Sequence, residues 1–252
     1  MLNWPNLNLN NFEIKEYKKL IKRIQNWILK YVKKSNAIGI TLGISGGIDS
    51  STLAAICFDL FKDNAHFYYL KTKEDKENEN DIKQLNKILN YSIEKIDLTK
   101  EFALFSKKFD LKNDWVKANS KSRFFMTALY TKAQQTNSLV LGTDNFNEYY
   151  LGYFTKWGDG GVDLLPFANL LKSDIYKMAK ILNVPECILN KKPSANLLDN
   201  QYDEDELGFS YAQFEEYIKG NSNIDKQILN KIKEFNTKTE HKRKLIPKGP
   251  KF

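Results

Sequence analysis

The sequence predicts an α/β fold, a parallel sheet flanked by helices and followed by a helical C-terminal part. Three observations carry that expectation. Short apolar, partly β-branched runs alternate with helically spaced stretches as far as Thr143. Two of those runs end in glycine and lead into polar loops, as strands do before a helix in a covered parallel sheet. Beyond about residue 170 the pattern turns mostly helical.

In chain order, Ile14, Tyr17, Leu20, Ile21, Ile24, Trp27, Ile28 and Tyr31 recur at helical spacing, which predicts an amphipathic helix over 13–34. AIGITLG (37–43) reads as a buried strand. Asp49 or Ser50 then caps a helix running to about Phe61. AHFYYLK (65–71) is the second strand, the polar KTKEDKENEND (71–81) a mobile loop, and IKQLNKILN a helix. YSIEKIDL (91–98) is the third strand, 113–135 a long helix, and SLVLGT (138–143) the fourth strand. SDIYKMAKIL, YDEDELGF, YAQFEEYI and IDKQILNKIKEFNTKTEH supply the helical part. Ligands of such sheets lie beyond the carboxyl ends of the strands, near a switch in strand order. The loops 43–51 and 142–148 are therefore expected to meet there.

The 252 residues are 42% hydrophobic and 28% charged, an ordinary globular balance, and are read as one domain spanning 1–252. No run approaches the roughly 18–20 apolar residues of a membrane span, and no secretory leader is visible. Cys57 and Cys187 are too few for a disulfide framework and form no metal motif, so a cytoplasmic, reduced setting is expected. The net charge of +8 allows a nucleic-acid partner, an anionic ligand or simple compositional bias.

GISGGIDSST (43–52) has the glycines of a phosphate-binding turn but no lysine where a Walker loop carries one. Its backbone N–H groups can converge as an anion nest at a helix N-terminus. The carboxylate of Asp49 would repel a polyphosphate unless a cation such as Mg²⁺ lay between them. Taken alone, such a segment is read more readily as a glycine turn between strand and helix with Asp49 or Ser50 merely capping.

SGGxDSS between strand and helix resembles the pyrophosphate loop of the N-type ATP pyrophosphatases. GTDNFNEYYLGYFTKWGDGGVDLLPFANLLKSDIYKMAKIL (142–182), KPSANL (192–197), DEDELGFSY (203–211) and the terminal HKRK are similar to the ammonia-dependent NAD synthetases, in order and approximate spacing. The resemblance covers about residues 15–247. It implies a Rossmann-like, adenine nucleotide alpha-hydrolase-like fold and a reaction in which ATP adenylates the nicotinate carboxylate of deamido-NAD. Ammonia then displaces AMP, and pyrophosphate is released.

By the same resemblance ATP would meet Gly43, Ile44, Ser45, Gly46, Gly47, Ile48, Asp49, Ser50, Ser51, Thr143, Lys172 and Ser194. Asp49 and Glu148 would hold Mg²⁺. Arg123, Lys156, Asp163, His241 and Lys242 would meet deamido-NAD, with Asp49, Glu148, Asp163 and Lys172 the catalytic set. The resemblance also implies a homodimer with the dinucleotide site at the interface, for which 113–135 and 147–151 are candidate elements. Neither nucleic acid nor a membrane is an expected partner. No amidase domain is expected, so ammonia is the nitrogen source. The segment after the second strand departs from the family in lacking arginine and proline, with Lys71 and Lys73 its nearest cations. Two rival readings are an RNA-modifying pyrophosphatase and an adenine-nucleotide-binding module without turnover.

Overall fold

The computed structural model describes residues 4–89, 93–194, 202–221 and 223–250. Helix α1 (Asn11–Lys34) opens with a reciprocal capping box between Asn10 and Glu13 and ends on Lys33 and Lys34, so both termini oppose the helix dipole. Ile21, Ile24, Ile28 and Val32 form its buried stripe. Trp27 and Tyr31 lie on the exposed side, their rings 5.1 Å apart.

Four parallel strands follow the predicted alternation: β1 (Gly39–Gly43), β2 (Ala65–Lys71), β3 (Glu94–Asp97) and β4 (Ser138–Leu141). Their order is β3-β2-β1-β4, with Ile40 opposite Ala65 on one side and Leu139 on the other. Between them run α2 (Ile48–Phe61), α3 (Lys76–Leu89), α4 (Thr99–Lys108) and α5 (Asp114–Gln135). The chain progresses outward from β1 to β3 and then returns to the other side of β1, which makes the β1/β4 boundary the switch point. Then come α6 (Phe146–Leu151), α7 (Lys172–Ile181), α8 (Glu186–Leu189), α9 (Asp203–Leu207), α10 (Tyr211–Ile218), α11 (Lys226–Lys238) and α12 (Glu240–Arg243).

One face of the sheet packs through Ile40 and Leu42 against α1, α2 and α7, in a core that includes Leu53, Ile56, Cys57 and Ile175. The opposite face buries Tyr68 and Val140 under Met126, Leu129 and Ala133 of α5. The helical part has its own core of Leu151, Leu207, Phe209, Tyr211, Phe214 and Ile232. Among the described residues no helix is long and apolar enough to cross a membrane.

Several expectations need correction. Helix α2 begins at Ile48 with Gly47 as its N-cap and no side-chain cap, so Asp49 and Ser50 lie inside its first turn. The loop expected over 71–81 ends at Asp75, because α3 starts at Lys76. There the Asp75 side chain accepts the Asn78 N–H at 3.1 Å, and Glu77 and Glu79 sit in the dipole-favoured first turn. The third strand is shorter than 91–98; residues 90–92 lie outside the described ones. Helix α4 was not anticipated, and it packs Phe102 against Phe124 of α5.

Candidate active site

The two loops expected to meet do so at the β1/β4 boundary. Gly43–Gly47 leads from β1 into α2, and Gly142–Asn145 leads from β4 into α6. In the first loop Gly46 adopts φ +80°, and a Cβ there would lie 2.1 Å from Asn78 Oδ1. Both the left-handed backbone and the close approach of α3 therefore demand glycine. Asn78 donates to Ser45 O at 2.8 Å and is held in turn by Lys191 Nζ at 3.0 Å. The segment 71–81, expected to be a mobile loop, thus supplies the side chain that covers the glycine turn. Ser45 Oγ accepts the Gly47 N–H at 3.2 Å, and Ser50 Oγ accepts the Ser45 N–H at 3.2 Å. The uncapped first turn of α2 keeps the N-terminal dipole of a 14-residue helix pointed at this loop, the arrangement that favours an anion.

Asp49, Glu148 and Lys172 come together from three different helices. Lys172 Nζ lies 2.6 Å from Asp49 Oδ2 and 3.0 Å from Glu148 Oε1, with its side chain 3% exposed. Its ammonium also sits 5.5 Å from the ring centre of Tyr211, a face-on cation–π contact. Asn145 Nδ2 donates to Asp49 Oδ1 at 3.0 Å, while its own Oδ1 caps α6 by accepting the Glu148 N–H. One asparagine therefore ties the Asp49 carboxylate to the helix that carries Glu148. Burial acts to lower the Lys172 ammonium's pKa, but Asp49, Glu148 and Asp203 outweigh it and hold the group charged.

Whether this constellation fits Mg²⁺ can be judged from the lysine itself. The two carboxylates aim oxygens at one shared cationic nitrogen, so they converge as ligands of a single cation must. Mg²⁺ uses one or two protein carboxylates together with phosphate oxygens and water, and the donor set fits it.

Burial pushes the Glu148 carboxyl from its ordinary 4.5 up to about 7, against the downward pull of Lys172 and with a further push from Asp49. A raised carboxyl favours the fold in its protonated form. Its contribution is complete below pH about 4.5 and is lost as pH rises through about 7. Asp144, raised by burial and then by Asp159 and Glu148, adds a slope of the same sign. Glu148→Gln, which cannot ionise, is expected to flatten the fall in melting temperature between pH about 5 and about 8. An unchanged slope would assign the whole effect elsewhere.

The other predicted positions form a second group beside the first. Arg123 Nε donates to Lys156 O at 3.3 Å, Lys156 Nζ donates to His241 O at 2.5 Å, and Lys242 Nζ donates to the carbonyls of Gly152 and Phe154 at 2.7 and 2.6 Å. Four of the five residues expected on the dinucleotide side are thus linked through the GYFTKW segment. The exposed Trp157, with Lys156 over its ring at 5.4 Å, and Tyr130 border the same shallow hollow as Arg123. Asp163 is engaged apart from the Asp49 cluster. It accepts from Tyr130 Oη at 3.1 Å and from the Val140 N–H at 2.8 Å. The fourth strand ends at Leu141 and not at the expected 143, so half-buried Thr143 lies in the loop after β4, and Ser194 is exposed. The rest of KPSANL, from residue 195, lies outside the described residues.

On the side of the departing segment, Lys71 is buried and paired with Glu74 at 2.6 Å and Glu79 at 3.2 Å. Its charge is neutralised locally, so Lys71 is not presented to an anion.

Sequence reasoning missed Asn145, Asn147, Asp144 and Asp159. The first is visible in hindsight as the Asn-x-x-Glu capping box. Asp144 is 4% exposed, and its Oδ2 has no hydrogen-bond partner among the described residues. Asp159 accepts from Ser122 Oγ at 2.6 Å and from the Thr155 N–H at 3.0 Å. No local pattern distinguishes these two from ordinary loop acids.

Comparison with known proteins bears on the same segments. A family model described as NAD synthase matches residues 20–246. A Mycoplasmopsis pulmonis protein named NH(3)-dependent NAD(+) synthetase is 42% identical over 244 residues, covering 95% of each chain. A protein of that name from Finegoldia magna is 41% identical over 232 residues, covering 91% of this chain and 95% of its own. Among solved structures, NMN synthetase from Francisella tularensis superposes with a TM-score of 0.86 at 33% identity, over 94% of this chain and 99% of that one. NH3-dependent NAD synthetase from Campylobacter jejuni superposes with a TM-score of 0.79 at 28% identity, over 93% and 99%.

Proposed function

The chain belongs to the NAD synthase family, and from that premise we infer how its site performs an ATP-dependent amidation. It is an ammonia-dependent NAD synthetase, converting the nicotinate carboxylate of deamido-NAD to the carboxamide of NAD. The carboxylate is a poor acyl group, because its charge repels a nucleophile and oxide cannot leave. Adenylation by ATP replaces oxide with AMP, pyrophosphate departs, and ammonia attacks the activated carbonyl. The observation that carries the site assignment is the convergence of Asp49, Glu148 and Lys172 beside the glycine loop.

In this reading the loop Gly43–Ser51 holds the departing pyrophosphate through backbone N–H groups and the α2 dipole. Lys172 neutralises phosphate charge, and Thr143 and Ser194 supply hydroxyls to ATP. Mg²⁺, held by Asp49 and Glu148, supplies when bound the screening that lets two polyanions approach. Arg123, Lys156, His241 and Lys242 orient deamido-NAD, with Asp163 and Tyr130 acting on the same side. The work of the protein is then mainly positional and electrostatic. Trp115 and Val116 near the start of α5 are exposed, as is Trp157, which lines one hollow with Arg123, and these exposed apolar side chains support a homodimer whose interface reaches the dinucleotide. Two free cysteines, one buried, are consistent with a reduced cytoplasmic setting.

With ATP, Mg²⁺ and deamido-NAD, the purified protein is expected to form NAD, AMP and pyrophosphate when ammonium is supplied, and far less NAD with glutamine. Nicotinate mononucleotide belongs in the same assay, because one structural neighbour is named for NMN. Preference for the mononucleotide would move the substrate assignment while leaving the chemistry intact. ADP and phosphate as products would overturn the mechanism.

A further inference from the structure

Glu215 is a buried carboxylate outside the set that meets ATP or metal, 1% exposed on α10. Its partners are N–H donors from three separate parts of the chain. Oε1 accepts the Ser173 backbone N–H at 2.9 Å and Asn147 Nδ2 at 3.4 Å, and Oε2 accepts Trp4 Nε1 at 3.1 Å. Asn147, itself 0% exposed, uses its other side-chain atom to accept the Lys172 backbone N–H at 3.2 Å.

Glu215 and Asn147 therefore occupy the first two backbone N–H groups of α7, at the residues Lys172 and Ser173. Asn147 is also the neighbour of Glu148 on α6. One polar node thus sets the backbone of Lys172 against the backbone of Glu148. The side chains of those residues meet at 3.0 Å on the other side. The negative charge lies at the N-terminus of a 10-residue helix, where the dipole favours it.

Helix α10 contributes twice. Tyr211 and Glu215 are four residues apart and share a face, so the ring beneath the Lys172 ammonium and the carboxylate beneath its backbone come from one rigid element. Trp4 closes the node from outside. Its ring stacks on Tyr211 with centroids 6.2 Å apart and meets Tyr176 of α7 edge-on at 5.8 Å.

We propose that Glu215, through Asn147 and the N-terminus of α7 and braced by Trp4, is a positioning residue that aims Lys172 at the phosphate loop and Glu148. The proposal rests on the role given to Lys172 above. Glu215→Gln keeps the shape and the acceptor for Ser173, but it removes the charge and turns an amide N–H₂ toward the Trp4 indole N–H or the α7 backbone.

The test is a double-mutant cycle on the full-length protein, measuring kcat and the KM for ATP for Glu215→Gln, Lys172→Arg and the pair. Lys172→Arg keeps the charge but replaces the compact ammonium with a planar fork. Glu215→Gln alone is expected to lower kcat about tenfold or more, and to lower it less than about twofold in the Lys172→Arg background. Full multiplication of the two effects, or a wild-type kcat for Glu215→Gln, overturns the proposal. A purely structural role would lower the melting temperature equally in both backgrounds and leave kcat of the folded fraction unchanged. Should Glu215→Gln fail to fold, Trp4→Phe enters the same cycle, because it removes only the indole donor and keeps a stacking ring. Wild-type turnover by Lys172→Arg would strike at the assignment of Lys172 itself. Impaired Lys172→Arg with unimpaired Glu215→Gln removes the positioning role alone.

Discussion

Asp49→Asn is expected to lower kcat by at least about a hundredfold, roughly 2.7 kcal/mol of transition-state stabilisation or more, with little change in the fold. The substitution is isosteric. The asparagine carbonyl can still accept from Asn145 Nδ2, which holds Asp49 Oδ1 at 3.0 Å. Its amide N–H₂, however, would face the Lys172 ammonium, which now lies 2.6 Å from Asp49 Oδ2. Two donors repel, so the lysine is driven toward Glu148 and away from the loop. A neutral amide is also a poor Mg²⁺ ligand beside a carboxylate. The Mg²⁺ concentration needed for half-maximal rate should therefore rise along with the fall in kcat. The check is a Mg²⁺ titration of NAD formation at saturating ATP, deamido-NAD and ammonium, with circular dichroism as the control for folding. Wild-type turnover at wild-type Mg²⁺ concentrations would remove the metal role assigned to Asp49.

Why Asp49 was legible in the sequence and its partners less so follows from what each depends on. The glycine loop is local: a strand run, two glycines, an acid and two serines are contiguous, and their spacing states that backbone N–H groups and a carboxylate share one turn. The meeting of 43–51 with 142–148 required the strand order, which alternation predicts only as a crevice at some switch point. Lys172 is harder still. In isolation it is one of many lysines, and it is its tertiary place among Asp49 of α2, Glu148 of α6 and Tyr211 of α10 that leaves it nearly fully buried. The helix expected at IKQLNKILN lies within α3, but its start is set too late because residues 76–81 are polar throughout, and hydrophobic periodicity has nothing to register there. What starts it is an Asp75 cap and a dipole-favoured acidic turn, which a reading for apolar spacing passes over. The Asn147–Glu215 contact spans 68 residues between two polar side chains, and no periodic pattern encodes such a pairing.

Lys172→Met should inactivate the protein and also destabilise it, and the two losses should respond differently to Mg²⁺. Methionine nearly conserves the stem and its contact with Tyr211, so packing changes little. The ammonium is lost from between two carboxylates whose side chains are only 15% and 14% exposed. Removing one partner of a buried ion pair typically costs about 3–5 kcal/mol, because the remaining charges stay uncompensated. Here two acids are stranded, and burial already pushes the Glu148 carboxyl up. The variant's melting temperature is therefore expected to fall sharply near neutral pH and to recover in part on acidification, as protonation removes the repulsion. If Asp49 and Glu148 form the divalent site, about 10 mM Mg²⁺ should raise the variant's melting temperature well beyond any effect on the wild type, by binding the native state alone. Turnover should stay low even when stability is restored, since no cation remains to follow the phosphates. A melting temperature insensitive to Mg²⁺ in Lys172→Met would show that the carboxylates converge on the lysine alone and that the metal binds elsewhere. Calorimetry with and without Mg²⁺ at pH about 6 and about 8 separates these outcomes without recourse to the activity of the loaded enzyme.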